Sequence, residues 1–255
     1  MIKEQLKIFF TALMFYTRIP VPKWIGYSQS YLDRSTRYFP LMGWIVGGFG
    51  ALVFVIAHNF LPKSTSLLFS MISTILLTGA FHEDGFTDTC DGFGGGWTKQ
   101  QILDIMKDSR VGAYGAIGIF LMLSLKFQFL SALDGKFIPI ALIVAHSVSR
   151  AAILIFRRAY NYVRENDDAK AKPMAQEVSK KDFWIGMILG AMPLILLPSF
   201  HMIFGVISFV VITEFLFSKW IVRRIGGYTG DCLGATQQLC ELSCYLGMLV
   251  SWKFI

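Results

Sequence analysis

Residues 82–96 read HEDGFTDTCDGFGGG, and Glu83, Asp84, Asp88 and Asp91 place four carboxylates within nine positions. On a helix, Asp84, Asp88 and Asp91 fall at i, i+4 and i+7, which is one face. Carboxylates aligned in this way repel one another, and a divalent cation is the economical counter-charge. Oxygen-only ligands suit Mg²⁺ or Mn²⁺, and Mg²⁺ is commonly held by one or two carboxylates together with substrate phosphates. Glu83, Asp84, Asp88 and Asp91 are therefore candidate metal ligands. Asp84, Asp88 and Asp91, with Asp108 further on, are the candidate catalytic acids. The plain alternative is an acidic helix end bathed in water.

The neighbouring residues point to phosphate. Gly92, Gly94 and Gly95 read as a loop whose backbone can approach an anion closely. The next polar stretch, KDSRVGAYGA (107–116), offers Lys107 as a point charge and Arg110 as a planar fork for phosphate oxygens. Asp108 is either a further metal ligand or the partner of Arg110. Both cations could instead be ordinary anchors beside a membrane. A third stretch, GGYTGDCLGATQQLCE (226–241), carries Thr229 and Asp231. Either residue could cap a helix, or the segment could close over the acid cluster as a binding loop. Arg150 sits within an apolar run, where an arginine faces the bundle interior or a water-filled cavity. It could reach a phosphate or pair with another helix. Lys126 is expected to pack against an acid such as Glu214, or to snorkel. Aligned carboxylates, glycines and nearby cations together describe metal-assisted phosphoryl or nucleotidyl transfer. No Ser-His-Asp or Cys-His arrangement competes.

These groups must be positioned by membrane helices. The chain has 255 residues, 54% hydrophobic and 16% charged, against about 25% charged for soluble domains. Spans of about 20 apolar residues are expected at 39–60, 65–81, 112–132, 137–156, 183–198, 201–218 and 237–254. This predicts an all-α, polytopic bundle of about seven transmembrane helices forming a single catalytic domain over 1–255, the short pairs flanking Pro62 and Pro198 being either spans or re-entrant hairpins. Residues 5–16 read as an interfacial helix or one packed under the bundle. With residues 1–38 inside, the inner loops hold 19 Lys and Arg and the outer loops 2. That bias places the N-terminus and all three polar stretches in the cytoplasm. The net charge of +7 has the same origin, and no basic helix or aromatic-basic platform suggests nucleic acid. The four cysteines form no C-x-x-C pair, so neither a disulfide framework nor a zinc site is expected. The N-terminus lacks a small-x-small cleavage site and reads as retained. Residues 163–181 read as a solvated connector, and GWIVGGFG (43–50) as a small-residue stripe able to pack helices within one chain or in a homo-oligomer.

HEDGFTDTCDGFGGG, KDSRVGAYGA and GGYTGDCLGA, with FYTRIPVP (15–22) and RYFPLMGWIVG (37–47), resemble the motifs of the cobalamin synthase (adenosylcobinamide-GDP ribazoletransferase) family. The resemblance runs in order over residues 15–241. It implies a Mg²⁺-dependent membrane enzyme of the inner membrane. Such an enzyme joins adenosylcobinamide-GDP to α-ribazole or its 5′-phosphate and releases GMP. The acidic motif carries over onto Glu83, Asp84, Asp88 and Asp91, and the family's DSR motif onto Asp108, Ser109 and Arg110. D-x-x-D-G at 88–92 is also similar to CDP-alcohol phosphotransferases, but FGGGWTKQ departs from their continuation. A transporter lined by Lys126, His146 and Arg150 is the competing class. Carboxylates gathered at one membrane face, rather than near its midplane, speak against it.

Overall fold

A computed structural model describes residues 2–26, 28–163 and 178–252. Most of the expected 163–181 connector lies outside the described residues. Eleven α-helices are present among them: α1 (Ile2–Tyr16), α2 (Gln29–Ser35), α3 (Phe39–His58), α4 (Lys63–Thr78), α5 (Phe81–Gly95), α6 (Lys99–Ile105), α7 (Ala113–Ala132), α8 (Ile138–Ala159), α9 (Lys180–Ala191), α10 (Phe200–Ile225) and α11 (Gly230–Trp252). Short 3₁₀ turns join some of them. The only β-type pairing among the described residues is an isolated bridge between Tyr162 and Tyr228. The chain is thus all-α and of membrane type.

Four segments are long and apolar enough to cross a bilayer: one ending with α3, then α7, α8 and α10. The α4–α5 pair adds a fifth if it counts as one broken span. By length and composition alone the expected count of seven is thus not confirmed. Residues 65–81 do not run on into the acidic motif: Gly79 and Ala80 are left-handed (φ 67° and 57°), and α5 leaves α4 at 88°. The 183–198 segment becomes α9 and a 3₁₀ turn containing Pro193. Twelve α-helical residues rise about 18 Å, and the five-residue 3₁₀ turn adds about 10 Å, close to the roughly 30 Å hydrocarbon core. The last segment belongs to α11, which carries Asp231, Gln237, Gln238 and Glu241 and buries 16 of its 23 residues inside the bundle. Protein rather than lipid surrounds it, so it needs no apolar surface.

Helices α8 and α11 form the centre, sharing a core with α3 and α10 around Leu142, Val206, Cys244 and Met248. The small-residue stripe serves packing within the chain. A side chain at Gly43 or Gly47 would strike the α8 backbone at His146 and Leu142, so α3 and α8 approach closely because both positions lack a Cβ. Helix α7 is the opposite case. It buries only Gly115, Met122, Lys126 and Leu130, a narrow stripe, and leaves Ile117, Phe120, Leu121 and Leu125 exposed. Helix α1 packs under α2 and α3 through Ile8, Ala12, Leu13 and Tyr16.

Hydrogen bonds identify the two ends of the bundle. Lys63 Nζ donates to the Leu133 carbonyl at 2.7 Å, joining the α3–α4 and α7–α8 loops. At the other end Tyr228 N donates to Asn161 O at 3.0 Å, and Arg224 Nη2 donates to Gly96 O at 2.8 Å. The loops after α5, α8 and α10 therefore share one end, as the expected alternation requires.

Candidate active site on the acidic helix

The acidic motif is a helix in spite of its composition. Helix α5 contains Gly85, Gly92, Gly94 and Gly95, and glycine in a helix interior costs about 1 kcal/mol relative to alanine. Its neighbours hold it. A side chain at Gly85 would meet the Asp231 backbone at 2.9 Å, one at Gly92 would strike Met106, and one at Gly94 would strike the Tyr114 ring. Arg224, which bonds Gly96 O, brings a cation to the negative end of the α5 dipole. The expected loop conformation is thereby corrected: Gly92, Gly94 and Gly95 are helical, and their lack of side chains lets α6 and α7 come close.

The four carboxylates separate into two pairs. Asp91 turns inward, its two oxygens accepting the backbone N–H of Gly112 at 2.7 Å and Gly115 at 2.8 Å. It closes the N-terminus of α7, where an anion meets both open donors and the positive end of the dipole. Glu83 also turns inward, and its Oε1 accepts from Gln238 Nε2 at 3.0 Å. Asp84 is exposed and Asp88 half-buried, one turn apart on the outer face of α5. Among the described residues, no group of three or more His, Cys, Asp or Glu could hold a metal ion.

The other two polar stretches come to the same helix. Asp91 ties the loop that carries Lys107, Ser109 and Arg110 to α5, and all three residues are exposed. Arg110 Nη2 lies 2.5 Å from Asp108 Oδ2, and Arg110 Nε donates to the same carboxylate at 3.0 Å. Asp108 is thus the partner of Arg110, and these hydrogen bonds hold its carboxyl below the usual range, at about 2. Thr229 is a helix cap: its hydroxyl accepts from Cys232 N at 3.3 Å. Asp231 opens α11 half-buried, with its backbone against Gly85 beside the acidic face.

Arg150 does not reach this surface. It is 2% exposed, donates to the His146 carbonyl at 2.8 Å and lies over the Phe39 ring at 5.6 Å. Lys126 pairs with Glu241 at 2.5 Å rather than with Glu214. Glu241 also accepts from Gln237 and Tyr245, each at 3.0 Å. The sequence reading missed this role for Gln237, Gln238, Glu241 and Tyr245. Its signal was available: polar residues at 237, 241 and 245 repeat every four positions along one face of an otherwise apolar helix.

Comparison with known proteins adds the following. Residues 8–249 match the family model described as Cobalamin-5-phosphate synthase. The chain is 44% identical to the adenosylcobinamide-GDP ribazoletransferase of Shewanella oneidensis, over 97% of this chain and 95% of that protein. It is 43% identical to the protein of the same name from Shewanella halifaxensis and 44% identical to that from Leptothrix cholodnii, each over 98% of both chains. No solved structure matches the chain.

Proposed function

The chain belongs to the cobalamin-5-phosphate synthase family, and we propose that it is a membrane-embedded adenosylcobinamide-GDP ribazoletransferase. In this reading a free ribose hydroxyl oxygen of α-ribazole, or of its 5′-phosphate, attacks the phosphorus attached to the corrinoid side chain. The bond from that phosphorus to the GMP oxygen breaks, GMP leaves, and the proton of the attacking ribose hydroxyl passes to a base. The observation that carries the reading is the outward pair Asp84 and Asp88, on a helix brought against the Asp231 backbone and the loop of Arg110.

The pair also fits Mg²⁺, which takes one or two carboxylates and completes its shell with phosphate oxygens and water. Asp84 and Asp88 would hold the ion, and when bound it would neutralise charge building on the transferring phosphate. Mn²⁺ suits the same donors. Lys107 and Arg110 meet substrate phosphate, with Asp108 bracing the guanidinium. Asp231 closes the far side of the acidic face. Glu83 and Asp91 are spent on scaffold contacts.

The end of the bundle that carries the site gathers Lys99, Lys107, Arg110, Arg158, Arg223 and Arg224. The positive-inside rule puts that end, with the N-terminus, in the cytoplasm at the inner membrane. A transport path is disfavoured, because Lys126, His146 and Arg150 are engaged with one another and with Glu241 in the interior. The family match likewise favours the ribazoletransferase over a CDP-alcohol phosphotransferase. Purified protein given adenosylcobinamide-GDP, α-ribazole and Mg²⁺ is expected to yield GMP and a cobalamin. Absence of both products with α-ribazole and with its phosphate overturns the assignment.

A further inference from the structure

The acidic helix is held from behind by buried charge that phosphoryl transfer does not require. Glu83 is 9% exposed, and its Oε1 accepts from Gln238 at 3.0 Å. On the same turn of α11, Gln237 Nε2 reaches Ser149 Oγ and Glu241 Oε2, each at 3.0 Å. Glu241 pairs with Lys126 at 2.5 Å and stands 3.5 Å from His146 Nε2, which is on the residue that anchors Arg150. The cluster holds two carboxylates, one ammonium and one guanidinium, so its formal charges cancel. Breaking such a set leaves an uncompensated buried charge.

The rest of the contact between α5 and α11 is apolar or glycine, with Phe86 packed in one cluster with Ala235 and Leu242. Gly85 lies against the Asp231 backbone and Gly234 against that of His82. Two glycine surfaces set a distance but not a rotation. Each residue advances a helix by about 100°, so a modest roll of α5 re-aims Asp84 and Asp88. The Asp91 bonds hold the C-terminal part of α5 to α7, and the Glu83–Gln238 hydrogen bond is the side-chain link to α11 that resists this roll at the N-terminal part.

We propose that Glu83 is a positioning residue and not a metal ligand. Its bond to Gln238, backed by the Lys126–Glu241 pair, sets the rotation of α5 and so the direction in which Asp84 and Asp88 face the transferring phosphate. The inference rests on the functional reading above. Gln238→Glu opposes two carboxylates and is expected to lower kcat by about tenfold to a hundredfold with KM little changed. The exchanged pair Glu83→Gln with Gln238→Glu rebuilds the bond with donor and acceptor reversed, and it is expected to restore most of kcat. A metal ligand at Glu83 would not be rescued in this way. Rates are taken per folded, monodisperse protein, and Gln238→Ala replaces Gln238→Glu if the latter does not accumulate.

Hydrogen–deuterium exchange of α5 reads the same device without turnover. It is expected to rise in the single variant at Gln238 and to return in the exchanged pair. Wild-type protein that makes no cobalamin, with this exchange pattern intact, defeats the functional reading alone. Unchanged exchange and kcat in the single variant, or an exchanged pair no faster than it, overturns the positioning role.

Discussion

Asp91 Oδ1 lies 2.8 Å from the backbone nitrogen of Gly115, so a carboxylate of the acidic helix closes the first turn of the next long helix. The same contact explains Gly115, where a side chain would strike Asp91 Oδ2. One bond thus sets the angle between α5 and α7 and anchors the Arg110 loop between them.

Asp91→Asn is expected to act on stability first. The amide keeps one acceptor oxygen but loses the charge and one of two backbone donors, a cost of about 1–2 kcal/mol. A lower melting temperature in detergent, with turnover per folded molecule reduced far less than in the Asp84 and Asp88 variants, is the expected result. A stable protein that has lost all turnover would return Asp91 to the chemistry.

Asp84→Asn and Asp88→Asn should show the converse. Asp84 is exposed and Asp88 half-buried, so melting should fall less than in Asp91→Asn. Loss of a group stabilising charge on the phosphate costs several kcal/mol, and each 1.36 kcal/mol is tenfold. A fall in kcat of about 10²-fold or more is expected, with a weakened response to Mg²⁺. Near-normal GMP release from both variants would remove the pair from the site.

Lys126 and Glu241 are 3% and 1% exposed at their side chains. Lys126→Met leaves Glu241 charged and without its ammonium partner, at an expected cost of about 3–5 kcal/mol. Adding Glu241→Gln removes that charge and keeps one amide oxygen to accept from Tyr245 or Gln237, which bond different oxygens of Glu241. The double variant should therefore melt above Lys126→Met. If it melts lower, the pair is not the main charge balance of the interior.

The Asp108–Arg110 pair has a defined pH behaviour. Asp108 is held down to about 2 by Arg110, against an ordinary value of 3.8. A depressed folded value means that the pairing is complete above the ordinary value and is lost as pH falls from 3.8 towards 2. Turnover between pH 5 and 8 should thus owe no inflection to Asp108. In Arg110→Ala, which keeps the backbone N–H of residue 110 on Asp108, a carbon-13 titration of the Asp108 carboxyl should move up towards its ordinary range. An unmoved titration would assign the shift to another cause.

The sequence by itself determined the helical membrane class, the helix of the acidic motif, and the gathering of three polar stretches at one end. Each of these rests on local information: apolar run length, i, i+4, i+7 spacing, and the side of the bilayer on which Lys and Arg collect. It also carried the family resemblance. Tertiary structure alone decided which acids face outward. All four sit within two and a half turns of one helix, and only the placement of Gln238 and the α7 N-terminus turns Glu83 and Asp91 to scaffold. The 88° break at Gly79 and Ala80, the burial of α11, and the choice of Glu241 over Glu214 for Lys126 have the same origin. A hydropathy pattern says that a charge must be compensated, but which opposite charge lies within reach depends on how the helices pack.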